Sequence, residues 1–203
     1  MSDRSHQSVG GGMRAGRLEA FTDGVVAIII TIMVLELKVP HDGTLAALSD
    51  SVPILLAYVL SFINVGLYWN NHHHLLQATE RIDGKVLWSN LFLLFWLSLV
   101  PFVIRWLDAS GFSAMATASY GVVLGMAAIG YTLTERSIIA CNGRQSALAQ
   151  AIGRDWKGKI SLGLYAVAVP TAFVARPMAI IFYVVVLLFW IAPDRRIERA
   201  LRD

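Results

Sequence analysis

The chain has 203 residues, of which 56% are hydrophobic and only 15% charged; soluble domains carry about 25% charged residues. With a mean hydropathy of +0.60, this balance excludes an ordinary soluble domain and puts the chain in a membrane. The net charge of +3 then reads as topology and contact with anionic membrane lipids, not as nucleic-acid binding, and the single Cys141 excludes a disulfide framework.

Residues 1–16 are polar and Gly-rich and read as a flexible tail, without the small-residue cleavage site of a signal peptide. The first apolar segment covers 18–37 and ends at Lys38 and Pro40. A second runs from 53 to about 76, a third over 86–107 and a fourth from 112 to about 133. The last two, 160–175 and 177–193, are shorter than the ~20 residues a span prefers. Arg176 and Pro177 between them fit a tight turn, and one long helix would have to contain Pro170, Arg176 and Pro177. A backbone crossing lipid must satisfy its own hydrogen bonds, so segments of these lengths are helices. The expected fold class is an all-α polytopic membrane protein with six transmembrane helices over 17–193, followed by a basic tail at 194–203.

Charge sets the orientation. One side of a six-span arrangement collects Arg4, Arg14, Arg17, Arg81, Lys85, Arg136, Arg144, Arg154, Lys157, Lys159, Arg195, Arg196, Arg199 and Arg202. The other keeps Lys38, Arg105 and Arg176. Lys and Arg accumulate on the cytoplasmic face, so both termini are expected there.

The first segment carries the most chemistry. Arg17, Glu19, Thr22 and Asp23 run directly into an apolar stretch that holds Thr31 among isoleucines. Ionisable groups at the mouth of a membrane helix are expensive to keep and mark functional positions. At ~100° per residue, Gly24, Ile28, Thr31 and Leu35 fall on one stripe with Ile32 beside it, while Asp23 points well away. The stripe can be a surface for symmetry mates, or ordinary packing surface with Thr31 bonded to its own backbone. Likewise Arg17 can be a positive-inside anchor and Asp23 a favourable charge near the helix start. Alternatively, both join Phe21, Thr22, Trp69, His72 or His73, and Asn90 in a network that holds the first helix to its scaffold. His72, His73 and His74 are splayed by ~100° per residue and cannot all face one metal ion, and no zinc-type spacing occurs elsewhere. Gly121 and Gly125 form a Gly-x-x-x-Gly face suited to close helix packing.

Arg17 followed by Phe21-Thr22-Asp23 closely resembles the Arg-x-x-x-Phe-Ser-Asp signature of the lysosomal potassium channel family, transmembrane protein 175 and its prokaryotic relatives. Trp69 with His72-His73 is similar to the family's second-helix Trp-x-x-His-His pattern, and Asn90-Leu91 with Pro101-Phe102 is similar to its third helix. The resemblance covers the first three helices, and no second six-helix repeat is visible. Thr22 stands where Ser is usual, and Arg105 near the end of the third helix is a departure. The resemblance implies a homotetramer whose first helices surround a pore, with Ile28 and Leu35 as hydrophobic constrictions and Thr31 as a hydroxyl ring between them. It implies passive conduction of potassium, with other monovalent cations as further permeants, in the plasma membrane of a prokaryote. No cofactor is indicated.

Two other classes are compatible with a polytopic chain. A secondary transporter uses discontinuous helices and a midplane polar site, for which Asn64 and Pro101 are the only hints. A non-conducting scaffold leaves no sequence mark of its own. An intramembrane enzyme would need a nucleophile–base pair or ligand cluster at membrane depth, and none is present, so the chain does not read as an enzyme.

Overall fold

Polar signals interrupt the apolar runs and set the helix ends. The computed structural model describes residues 15–37, 39, 44–79, 81–143, 145–146, 149 and 155–191. The 194–203 tail lies outside these residues, as does the 1–16 tail apart from Ala15 and Gly16, which open the first helix. The described helices are α1 (Ala15–Leu35), α2 (Leu45–Asp50), α3 (Val52–Gln77), α4 (Gly84–Ser98), α5 (Val100–Ala109), α6 (Ala114–Asn142), α7 (Trp156–Val174) and α8 (Arg176–Ile191); no strand occurs among the described residues. The fold is all-α and built for a membrane. Four helical rods are long and apolar enough to cross one: α1, α3, α6 and the continuous Gly84–Ala109 run of α4 and α5. The apolar α8 has only 16 residues.

The joints have local causes. Asp83 caps α4 by accepting from the Val86 amide at 2.9 Å, Ser113 caps α6 from Ala116 at 3.3 Å, and Asp155 caps α7 from Gly158 at 3.0 Å. Pro101 sits in the first turn of α5, where its missing N–H leaves no intrahelical bond broken, and the α4–α5 joint falls at Leu99 just before it. Gly111 (φ 58°) and Phe112 (φ 56°) reverse the chain in the left-handed region between α5 and α6. The Phe112 carbonyl then accepts from Arg176 Nη1 at 3.3 Å, which ties this turn to the α7–α8 turn.

One boundary differs from the hydropathy reading. The helix expected to end near 133 continues to Asn142, because Thr134, Glu135 and Ile138 are buried against neighbours although the stretch is polar overall. Asn142 there clasps the α3–α4 turn, accepting from the Arg81 amide at 3.0 Å and donating to the Arg81 carbonyl at 3.1 Å. Pro170 lies inside α7, within the expected 160–175 segment, and the chain breaks at Ala175, beside the expected Arg176-Pro177 turn.

α6 is the central helix and packs on α4, α5, α7 and α8. Close approach needs small residues there. A Cβ on Gly130 would lie 2.8 Å from the Cα of Leu93 in α4, while Gly125 faces the Tyr165 side chain of α7 and Gly121 faces the Tyr183 ring of α8. The Gly-x-x-x-Gly face is thus a packing face inside the subunit. In contrast, α1 leans on α3, α4 and α5.

Gly130→Ala is expected to destabilise the purified protein by about 1–3 kcal/mol, because the obstacle is helix backbone that cannot swing aside. Gly66→Ala, with nothing within 4 Å of the added methyl, is expected to raise stability by up to about 1 kcal/mol through helix propensity. Thermal unfolding in detergent separates the two signs.

Candidate functional site

The functional candidates converge on α1 and the helices behind it. Leu18, Thr22, Val26, Ile29 and Met33, at helical spacing, form its buried face. Arg17, Phe21, Gly24, Ile28, Thr31, Ile32 and Leu35 all lie on the opposite, exposed face. Ile28 is 59% and Leu35 79% exposed, so nothing of their own subunit covers them. The stripe is therefore not packing surface within the subunit. The Thr31 hydroxyl donates to its own helix, with the Ala27 and Ile28 carbonyls each 3.0 Å away. Its hydrogen is spent internally and its lone pairs remain outward.

Behind α1 the polar side chains form a brace. Asn90 of α4 is completely buried; its Nδ2 donates to Thr22 Oγ1 at 3.0 Å. Asn90 Oδ1 lies 2.8 Å from His72 Nε2, and since a carbonyl oxygen only accepts, His72 carries its proton on Nε2 in this bond. Three helices thereby meet in one chain of hydrogen bonds. A second, more exposed set runs along the flank of α1: Trp69 Nε1 donates to Asp23 Oδ1 at 2.8 Å, and His73 Nδ1 pairs with Glu19 Oε1 at 2.7 Å. Gln77 Nε2 reaches His73 Nε2 at 2.8 Å, and the Trp69 and His73 rings stack with centroids 5.9 Å apart.

The structure thus brings Thr22, Asp23, Trp69, His72, His73 and Asn90 together. Arg17 and Phe21 stay outside, because they lie on the outward side of α1, about 100° or more around the helix from Thr22; Arg17 makes no hydrogen bond or ion pair with another described residue. Glu19 and Gln77 belong to the set and were missed by the sequence reading. The signal for them was available: Glu19 and Asp23 are one turn apart on α1, as are Trp69 and His73 on α3, so two antiparallel helices pair them rung by rung. At the other end of α1, Glu36 forms an ion pair with Arg105 of α5 at 3.5 Å. Arg105, an oddity in the sequence, holds the far end of α1. His72, His73 and His74 do not converge: the first turns to Asn90 and the second to Glu19. Among the described residues no three His, Cys, Asp or Glu side chains could hold a metal ion.

Membrane-length helices around a buried polar brace, with one helix turning an apolar face outward, define a polytopic helical membrane protein. Comparison with known proteins makes this specific. The family model for the endosomal/lysosomal potassium channel TMEM175 matches residues 17–101, the segment that holds α1, the Trp69–His74 turns and Asn90. A potassium channel of Chryseobacterium sp. (strain P1-3) is 51% identical over 94% of this chain and 100% of its own length. A potassium channel of Streptomyces collinus (strain DSM 40733 / Tue 365) is 30% identical over 87% of this chain and 91% of its own. The crystal structure of a lysosomal potassium-selective channel TMEM175 homolog from Chamaesiphon minutus superposes with a TM-score of 0.75 at 26% identity, covering 89% of this chain and 97% of that one. The chain belongs to the TMEM175 potassium channel family, a family of ion channels and not of enzymes.

Asn90→Leu would leave Thr22 and His72 buried without their partner, and it is expected to cost about 2–4 kcal/mol. Trp69→Phe removes one hydrogen bond on the half-exposed flank and is expected to cost about 1 kcal/mol. Unfolding of the purified variants measures both, and the reverse order would contradict the brace as drawn.

Proposed function

We propose that this chain is a potassium-permeable cation channel that conducts passively through a pore lined by α1 from each subunit of a homotetramer. One observation carries the reading: the stripe of Gly24, Ile28, Thr31, Ile32 and Leu35 is bare in the subunit, on a helix whose opposite face is buried and braced. One helix cannot enclose a pore, so the stripe must be closed by copies of itself. In that assembly Ile28 and Leu35 form hydrophobic rings that exclude water at rest, and a small dilation rewets them. Thr31 lies between them and offers outward oxygen lone pairs to an ion that has shed part of its water. Potassium sheds water at lower cost than sodium, so a tight hydroxyl-lined passage favours it without a filter of backbone carbonyls. The names of the Chryseobacterium and Streptomyces relatives support the permeant ion, and the high coverage of the Chryseobacterium relative supports transfer over the whole chain.

On this reading α7 and α8 also cross the bilayer, giving six spans over 17–193, and the Lys and Arg bias places both termini in the cytoplasm of a prokaryotic cell, with the channel in its plasma membrane. Thr22, Asp23, Trp69, His72, His73 and Asn90 have a structural role and fix the azimuth of α1.

Purified protein in liposomes tests the proposal through potassium and sodium flux. Ile28→Asn is expected to raise passive flux severalfold by wetting the constriction, and Thr31→Ala to reduce the preference for potassium over sodium. Absence of flux in every variant, in protein shown to be inserted and oligomeric, would overturn the channel reading. Flux that requires a second ion's gradient would replace it with a transporter.

A further inference from the structure

On the face of α3 turned away from α1, the helices α3, α6, α7 and α8 line a partly open cavity of about 40 Å³. None of its lining residues lies on α1, α4 or α5. That space holds a bare alkali cation with a water, or one small primary ammonium.

Its chemistry is that of an acceptor-rich box. The Tyr68 hydroxyl donates to the Leu124 carbonyl at 3.5 Å, Tyr131 to the Asn71 carbonyl at 3.4 Å, and Thr132 to the Ala128 carbonyl at 3.0 Å. The indole hydrogen of Trp190 goes to Ser161 Oγ at 2.9 Å. These four hydrogens are engaged within the protein, and the lining also holds Tyr165, whose hydroxyl shares a hydrogen bond with the Asn64 side chain. Asn64, only 7% exposed, lines it, and its Oδ1 is buried without a hydrogen-bond partner. A buried carbonyl oxygen without a donor is expensive in a membrane protein, so the cavity calls for an occupant that supplies hydrogens or positive charge. The surroundings favour charge. Asp155, the α7 cap, belongs to the lining and brings a carboxylate to its edge. The ring pairs Tyr68–Tyr131 and Tyr131–Trp190 meet edge to face, with centroids 6.1 and 6.3 Å apart, and aromatic faces attract cations. The Lys157 ammonium is engaged outside the lining, over the rings of Phe189 and Trp190.

We infer that this cavity is a binding site, internal to each subunit and separate from α1, for one small monovalent cation, with Asn64 Oδ1 as its inner ligand and Asp155 at its edge. An alkali ion and a primary ammonium share the required chemistry, and the test distinguishes them. The inference stands whether or not α1 lines a pore.

Thermal unfolding of the purified full chain is measured in rubidium chloride, in methylammonium chloride and in the bulky N-methylglucamine salt at equal ionic strength. The expected result is a midpoint several degrees higher in rubidium or methylammonium than in N-methylglucamine, the larger rise naming the preferred guest. That rise should persist in Thr31→Ala, shrink in Asp155→Asn, which keeps the helix cap but loses the charge, and vanish in Asn64→Leu. Crystals grown in rubidium chloride should show anomalous density beside Asn64 Oδ1 where rubidium is the preferred guest. No rise in wild type, or an equal rise in Asn64→Leu and Asp155→Asn, would overturn the site. So would loss of the rise in Thr31→Ala alone, since the ion would then be acting through α1.

Discussion

The chain of hydrogen bonds from Thr22 through Asn90 to His72 is the constraint on which the rest of the arrangement depends. Each of the three groups is almost wholly withdrawn from the surface, and lipid offers no substitute partner for any of them. Interhelical hydrogen bonds in membrane proteins contribute only about 0.6 kcal/mol each on average, so this chain adds little net stability. Its effect is on position. Only one rotation of α1 and one axial register bring Thr22 to Asn90, and the Glu19–His73 and Asp23–Trp69 pairs fit the same register. Once that rotation is fixed, Ile28, Thr31 and Leu35 must face away from the subunit.

The rest of the bundle is built differently. α6 is held by close backbone approaches at glycines and by apolar burial, and the Tyr183 hydroxyl reaches across to the Thr117 carbonyl at 3.1 Å. Such interfaces tolerate little sliding because their surfaces interlock. By comparison, α1 rests on one buried stripe plus polar fastenings near its two ends, Glu19 and Asp23 at one and Glu36 at the other. The division suits the proposed channel, in which the lining helix needs a defined azimuth and the body behind it needs rigidity.

How much of this the sequence displayed depended on the range of the interaction. The membrane class and the separation of a polar shoulder from an apolar stripe on α1 were legible, because composition and a 3.6-residue period are local properties. The end of α6 was not: Thr134 and Glu135 are polar, so hydropathy stops there, while the burial that keeps the helix going comes from other helices. Arg105 found its partner Glu36 on a helix distant in sequence, and Arg17 was assigned inward from motif proximity although its angle around the helix already pointed outward. Asn64 gave no sign beyond polarity, since its unmatched oxygen and the box around it exist only once four helices are assembled.

Thr31 shows where chemistry alone does not decide a role. A hydroxyl bonded to its own helix carbonyls is satisfied at little cost in lipid, in a protein interface or in a pore, so its presence in an apolar helix is neutral evidence. The decision comes from its neighbours. Gly24 offers no side chain to bury, and Ile28 and Leu35 are too exposed to be packed within the subunit, yet they share the azimuth that the brace behind them fixes. Specification of azimuth is useful when the outward face must meet a shaped counterpart, and in the proposed channel that counterpart is the same stripe on other copies.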